Sequence, residues 1–298
     1  KEFKNKVKNH HTAIAAQTLS LAPADGKLYA LRDVTSTVDI IPLIASSVVS
    51  KKIASGANHI ILDVKYGSGA FLKTAKEAEK LSKVMVEVGK RLNRNICAVI
   101  SSMNQPLGRA VGNSVEIQEV IEFLKGNMEP DLREITYTLC YKAFEKTGKF
   151  TNKKEAYKYL DELIISGNAL KKFKEIIKSQ GGNTEIIDDY TKLPQAKIKY
   201  EVKAKEGGFV QNIDALKIAK ACKNLGAGRE KKSDLIDYSA GIYLTQKYSE
   251  PVCKGETIAV IFTNKKDTVK DAEKLILSAF DIDDNEPKPQ SLIYKIIN

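Results

Sequence analysis

Residues 29–52 read YALRDVTSTVDIIPLIASSVVSKK, and the rest of the chain is organised around this stretch. A helix is predicted to begin at Pro42, and it places Ser47 and Lys51 four residues apart on one face. If the segment before the helix folds back over its first turn, Arg32 joins them. Two cationic donors and one hydroxyl then surround a small space that suits a flat ligand with several carbonyl oxygens. The alternative is a solvated helix face, because charged helix positions are usually exposed.

The segment after this helix indicates an alternating α/β order. Gly56 suits the left-handed cap that ends a helix, and residues 59–64 (HIILDV) have the near-continuous apolar pattern of a buried parallel strand. Residues 67–69 (Gly-Ser-Gly) follow at the carboxyl end of that strand, where open α/β sheets bind ligands. A glycine-rich turn lets the backbone approach a ligand closely. The spacing matches no complete phosphate-binding motif, so a simple tight turn is the alternative.

The next helix and strand continue this order. A helix over residues 74–92 carries a core-facing apolar stripe, and residues 95–100 (NICAVI) form the next predicted strand. The members of the stripe are Leu81, Val84, Met85, Val88 and Leu92.

A loop over residues 101–112 leads from that strand into a helix over 113–124, which carries Glu116 and Glu119 near its start. Loop carbonyls beside such a carboxylate can hold a monovalent cation, since hard cations take oxygen ligands. The alternative is a carboxylate favoured by the helix dipole, with no ion.

The flanking regions complete the predicted fold class. Residues 2–9 read as helix and residues 11–17 (HTAIAAQ) as a short strand, and three helices are predicted over 131–147, 153–166 and 168–179. From residue 198 onward, short alternating runs indicate strands. We therefore predict an α/β protein: a mixed sheet flanked by helices, with a partial helical domain and a C-terminal β-rich α+β portion.

Composition excludes several classes of protein. The 298 residues carry a formal net charge of +11, but the lysines are spread along helix faces, so no nucleic-acid partner is expected. No apolar run reaches membrane-spanning length and no signal-peptide core is present, so a cytoplasmic protein is expected. The four cysteines lie far apart without CxxC spacing, which argues against zinc and disulfides and predicts buried free thiols.

Several motifs together resemble the pyrimidine-nucleoside phosphorylase and thymidine phosphorylase family, over essentially all 298 residues. They are the opening stretch, LDVKYGSGAF, MNQPLGRAVGNSVEIQEV, LGAGR and the terminal LIYKIIN. The resemblance implies phosphorolysis of pyrimidine nucleosides (thymidine, deoxyuridine or uridine) to free base and (deoxy)ribose 1-phosphate. It implies orthophosphate as co-substrate, no organic cofactor, a potassium ion and a homodimer.

The resemblance also implies roles for individual residues. Arg32, Ser47 and Lys51 match the positions that grip the pyrimidine edge and act in catalysis. The positions of the apolar substrate-binding surroundings are matched by Val38, Ile44 and Phe71, and those that bind potassium by Leu107, Ala110 and Glu119.

The chain also departs from the family pattern. The family's Lys-His-Ser-Thr-Gly-Gly phosphate loop is absent, and none of His10, His11 and His59 stands in such a context. Ala16 replaces a usual glycine, and Tyr66 replaces a small residue in the glycine-rich loop. The opening KEFKNKVKN reads like the middle of a helix, so we expect a fragment that is inactive alone.

Three hypotheses follow: the larger part of an active phosphorylase, a non-catalytic pyrimidine-binding paralogue without the phosphate loop, and a related nucleotide phosphorylase or phosphoribosyltransferase. The family architecture implies that residues 1–22 start the α/β domain and that residues 23–56 are a helical-domain segment carrying the base-binding residues. Residues 57–196 then continue the α/β domain, and residues 197–298 form a C-terminal β-rich domain.

Overall fold

A computed structural model describes residues 2–14, 21–35, 37, 40–229, 231 and 233–298. This part of the chain contains ten helices and ten strands, together with short helical turns. The helices are α1 (Glu2–His10), α2 (Pro23–Val34), α3 (Ile41–Ala54), α4 (Ala75–Arg91), α5 (Asn113–Leu124), α6 (Pro130–Thr147), α7 (Lys153–Ile165), α8 (Asn168–Ser179), α9 (Ala215–Cys222) and α10 (Val269–Ala279). The strands are β1 (His59–Tyr66), β2 (Asn95–Ser102), β3 (Ala110–Gly112), β4 (Ile198–Lys203), β5 (Gly208–Ile213), β6 (Gly241–Leu244), β7 (Pro251–Val252), β8 (Thr257–Thr263), β9 (Phe280–Asp283) and β10 (Ile293–Ile297).

The first sheet has the strand order β1-β2-β10 and is mixed. β1 and β2 run parallel, with His59 opposite Asn95, and β10 is antiparallel to β2. Helices α4 and α6 pack on this sheet, and consecutive β2 residues such as Cys97 and Ala98, which point to opposite faces, are both fully buried. Burial on both faces explains the continuous apolar pattern of these strands and confirms the predicted parallel pair.

The C-terminal half, together with β3, forms two antiparallel sheets, ordered β3-β6-β8-β4 and β7-β5-β9. Together with α9 and α10 they enclose a second hydrophobic core, separate from the one between the first sheet, α3 and α4. This arrangement confirms the predicted fold class. The last strand, β10, returns to the first sheet, so the chain ends beside β2.

Helices α2 and α3 form a hairpin, and α3 packs against α4. Each begins with a proline in its first turn, where the missing N–H costs no helical hydrogen bond. Gly56, with φ at +88°, follows the end of α3 as predicted. The hairpin therefore stands beside the edge of β1.

Three local predictions were wrong. Residues 11–14 form no strand. The rest of that predicted strand, residues 15–17, which includes Ala16, lies outside the described residues. Leu92 ends the predicted apolar stripe but is 52% exposed, because α4 ends at Arg91. Cys253 is exposed, whereas Cys97 and Cys222 are buried.

Among the helices that the structure describes, none is long and apolar enough to cross a membrane.

Candidate active site

Arg32 lies in the last turn of α2 and reaches across to the first turn of α3. Its Nη1 atom donates to the Leu43 carbonyl at 3.2 Å, and its Nε atom donates to the Thr37 carbonyl at 3.2 Å. The residue is only 6% exposed. Arg32 is thus held against the first turn of α3 by two carbonyl groups, which meets the condition under which it was expected to join Ser47 and Lys51.

Ser47 and Lys51 lie one turn apart on α3, and they contact each other. The Lys51 ammonium donates to Ser47 Oγ at 2.9 Å and forms an ion pair with Asp25 of α2, whose Oδ2 atom is 3.0 Å away. Ser47 is 6% exposed and the Lys51 side chain 23%. The alternative of a solvated helix face is therefore wrong, because both groups are enclosed between the two helices.

The structure brings five of the predicted site residues to one cavity of about 570 Å³: Arg32, Ser47 and Lys51 with Ile44 and Phe71. The cavity lies between the α2–α3 hairpin, β1 and the turn that follows it, and α4 closes its apolar side. Of the apolar residues predicted to surround a ligand, Val38 lies outside the described residues. A cleft with an apolar wall and a few converging polar groups has the features of a small-molecule site.

The glycine-rich turn after β1 forms part of this cavity through Gly69. Gly67 has φ at +120°, and a Cβ atom there would come within 2.3 Å of Asn104 Oδ1. The backbone N–H of Ser68 donates to that same amide oxygen at 3.2 Å. Glycine is required at Gly67 because the turn packs against the loop after β2. The sequence predicted the turn but not its contact with Asn104.

Tyr66 lies outside the wall of the cavity. Its ring makes an edge-to-face contact with Tyr294 of β10, with the centroids 6.1 Å apart. The unusual tyrosine in this loop therefore packs against the C-terminal strand.

Sequence reasoning missed a polar group on β1 and β2. Asp63 and Lys65, which also line the cavity, form an ion pair at 2.7 Å. Ser101 of β2 accepts from Lys65 at 2.8 Å and donates to Asp63 at 2.5 Å. The signal was the spacing of two between an acid and a base in a strand, which puts both on one face.

The loop after β2 brings two of the predicted cation-site residues, Ala110 and Glu119, into contact. The Glu119 carboxylate accepts from the backbone N–H groups of Arg109 at 2.6 Å and Ala110 at 3.4 Å. Burial is the main cause that raises the pKa of Glu119. The described residues contain no group of three or more His, Cys, Asp or Glu side chains that would hold a metal. The half-buried Glu119 carboxylate supplies oxygen atoms, which are the ligands that hard cations take.

Lys247, which follows β6, contacts the same loop from the other side, and no sequence pattern indicated this contact. Its ammonium donates to the carbonyls of Pro106 and Gly108, the latter at 2.6 Å, and pairs with Asp131 at 3.0 Å. Burial lowers the pKa of Lys247. The carbonyls at positions 106 and 108 are thus bound within the protein, and those of Leu107 and Ala110 belong to the predicted cation set.

Two family models and several known proteins match this chain. Residues 1–170 match the model of the glycosyl transferase family a/b domain, and residues 209–283 match the pyrimidine nucleoside phosphorylase C-terminal domain. The chain is 48% identical over 295 residues to pyrimidine-nucleoside phosphorylases of Staphylococcus aureus strains USA300, NCTC 8325 / PS 47 and COL. Each alignment covers 99% of this chain and 68% of the relative.

Proposed function

The chain belongs to the pyrimidine-nucleoside phosphorylase family, and from this premise we propose that it binds a pyrimidine nucleoside in the cavity of Arg32, Ser47 and Lys51 for phosphorolysis. Orthophosphate attacks the anomeric carbon, the glycosidic bond breaks, and its electron pair leaves with the base. The products are the free base, after it takes up a proton, and a (deoxy)ribose 1-phosphate.

The observation that carries this proposal is that Arg32, Ser47 and Lys51 line the same cavity. The free edge of uracil or thymine presents a carbonyl oxygen, the N3–H and a second carbonyl oxygen. Arg32 and Lys51 offer donors for the two oxygens, and Ser47 lies beside Lys51. The Ser47 hydroxyl has two acceptor sites and uses one for Lys51, at 2.9 Å, so the other is available to N3–H.

The same groups account for catalysis. Cleavage leaves negative charge spread over the ring nitrogens and carbonyl oxygens of the base. Two cations at these oxygens stabilise that charge more than they stabilise the neutral substrate, which lowers the barrier. Arginine suits this role because its planar fork keeps its charge and donates two parallel bonds. Ile44 and Phe71 then provide the apolar surroundings of the ring.

We assign none of the residues of this cavity to phosphate binding. The family's Lys-His-Ser-Thr-Gly-Gly loop does not occur in the sequence. His59 is exposed at the start of β1, at the opposite end of the strand from the glycine-rich turn. The chain alone is therefore expected to bind the base without turning over substrate.

Family membership also supports four finer proposals: a potassium ion at Leu107, Ala110 and Glu119, a cytoplasmic homodimer, no organic cofactor, and the predicted domain boundaries. Residues 1–22 and 57–196 form the α/β domain, residues 23–56 the helical-domain segment, and residues 197–298 the β-rich domain, whose last strand joins the first sheet. The Glu119 carboxylate, which the loop after β2 holds through the Arg109 N–H, supports the potassium site.

The decisive experiment incubates the full-length protein with thymidine or uridine and measures free base and sugar 1-phosphate by chromatography. We expect release of base that depends on added orthophosphate and that falls when potassium is replaced by sodium. Cytidine is the matched control, because its exocyclic amine is a donor and would face a cation of the protein. Binding without release would instead indicate the non-catalytic paralogue, and no binding of either nucleoside would refute the proposal.

A further inference from the structure

Asp25 stands behind the cavity and contacts the cation that the substrate is proposed to meet. Its Oδ2 atom lies 3.0 Å from Lys51 Nζ, and its side chain is 11% exposed. The residue does not line the cavity, whereas Lys51 does. We propose that Asp25 is a positioning residue of the phosphorolysis reaction, which acts through Lys51; this inference rests on the proposed function.

Lys51 keeps a hydrogen-bond donor for the substrate after its contacts within the protein are made. A lysine ammonium has three N–H donors. Among the described residues, Ser47 Oγ accepts one at 2.9 Å and Asp25 Oδ2 attracts a second at 3.0 Å. These two contacts come from two different helices and fix the orientation of the ammonium. Because the contact with Asp25 is ionic, at least one donor then remains for a carbonyl oxygen of the base in the cavity.

The surroundings of Asp25 strengthen its ion pair with Lys51. Oδ2 is shielded from solvent, and its contact with Lys51 is ionic and lacks the geometry of an aligned hydrogen bond. Asp25 lies in the first turn of α2, where the helix dipole favours a carboxylate. A shielded anion that pairs with a cation is strongly coupled to it, because little water screens the charges. The carboxylate therefore holds Lys51 at the wall of the cavity.

The ion pair with Asp25 restrains the long and flexible side chain of Lys51, and this restraint matters for catalysis. An unrestrained lysine adopts many rotamers, and ordering it when substrate binds has an entropic cost. The ion pair orders Lys51 before substrate arrives, so its charge already faces the oxygen on which negative charge develops. Because a small displacement of a catalytic group strongly slows a reaction, removal of Asp25 affects kcat more than KM.

The test is the Asp25→Asn substitution in the full-length protein, which keeps the size of the side chain and removes its charge. We expect kcat/KM for uridine phosphorolysis to fall about tenfold or more, mostly through kcat, and Asp25→Glu to recover part of the loss. Glu273→Gln is the matched control, because it breaks a partly enclosed ion pair, with Lys270 at 3.0 Å, in the C-terminal half of the chain and away from the cavity. Its kcat/KM is expected to equal that of the wild type.

Two further measurements separate positioning from a structural role. In the Lys51→Ala background, Asp25→Asn is expected to cause no additional loss, since the group through which it acts is gone. The loss of kcat/KM caused by Asp25→Asn is also expected to be smaller for 5-fluorouridine than for uridine. Fluorine stabilises the departing anion, so its departure depends less on Lys51. A general loss of folding would lower kcat/KM equally for both substrates, and its effect would add to that of Lys51→Ala.

The outcomes separate this inference from the proposed function. If the wild type releases base and Asp25→Asn is as active or more active, the inference is overturned while the function stands; higher activity would mean that Asp25 withholds Lys51 from the substrate. An additive double variant would overturn it as well. If the wild type itself releases no base, the proposed function fails and the inference fails with it.

Discussion

Arg32 and Lys51 belong to different helices, yet both bring their cationic groups to one cavity. Their neighbours explain why these charges are not solvated: Arg32 is held by two carbonyl groups of the α2–α3 connection and of α3, and Lys51 by Ser47 and Asp25. Lys52, the next residue, is exposed. Adjacent lysines of one helix therefore have different environments, and only Lys51 faces the cavity.

At this scale we predict that Lys51→Ala or Arg32→Ala in the full-length protein lowers kcat/KM more than tenfold, as steady-state kinetics with thymidine or uridine would show. Each substitution removes a charge-assisted contact of about 1.5–3 kcal/mol. Lys52→Ala is the control, and its activity is expected to be unchanged. A loss within about twofold for both variants would show that these residues do not contact the base.

Among the elements, α4 forms the apolar side of the cavity and is linked to the C-terminal strand. Glu79 of α4 pairs with Lys295 of β10 and with Lys83, both at 2.8 Å. The hydrogen bond from Lys295 is the main cause that lowers the pKa of Glu79 from 4.5 to about 2. The contact fastens the last strand to the helix that supports the site.

This pair gives a pH-dependent prediction at the level of the element. A carboxyl group with a depressed folded pKa adds stability above its unfolded pKa of 4.5, and that stability is lost as the pH falls towards about 2. We therefore expect the wild type to melt at a higher temperature than Glu79→Gln at about pH 6, with the difference vanishing by about pH 2.

Glu87→Gln is the control for this measurement, because Glu87 pairs only within α4, with Arg91 at 2.9 Å. Exposed pairs within one helix contribute little to stability, so a small difference is expected at every pH. A constant difference between wild type and Glu79→Gln across the whole pH range would contradict the prediction.

In the whole molecule, Lys247 joins parts of the chain that are distant in sequence. It follows β6 in the β-rich half, and its ammonium reaches the loop after β2 and Asp131 of α6. Arg109 of the same loop pairs with Glu129 at 2.8 Å and with Glu250. The loop that carries the proposed potassium ligands is thus held from both halves of the chain.

We predict that Lys247→Met destabilises the protein by about 3–5 kcal/mol in denaturant unfolding, because Asp131 and two carbonyl groups lose their partner inside the protein. Lys254→Met is the control, since Lys254 is exposed in the same β-rich half. A loss below about 1 kcal/mol would indicate that water replaces the ammonium without cost. The activation by potassium is also expected to weaken.

The sequence by itself determined most helices and strands and the pairing of Ser47 with Lys51, because apolar periodicity, caps and a spacing of four act between near neighbours. It failed at residues 11–14, where an apolar run alone did not form a strand, and at Leu92, where a periodic pattern extended one residue past the helix. Only the tertiary structure placed β10 beside β2 and Lys247 in the loop after β2. These contacts, like that of Asp25 with Lys51, join segments far apart in the chain, and their geometry depends on how whole elements pack.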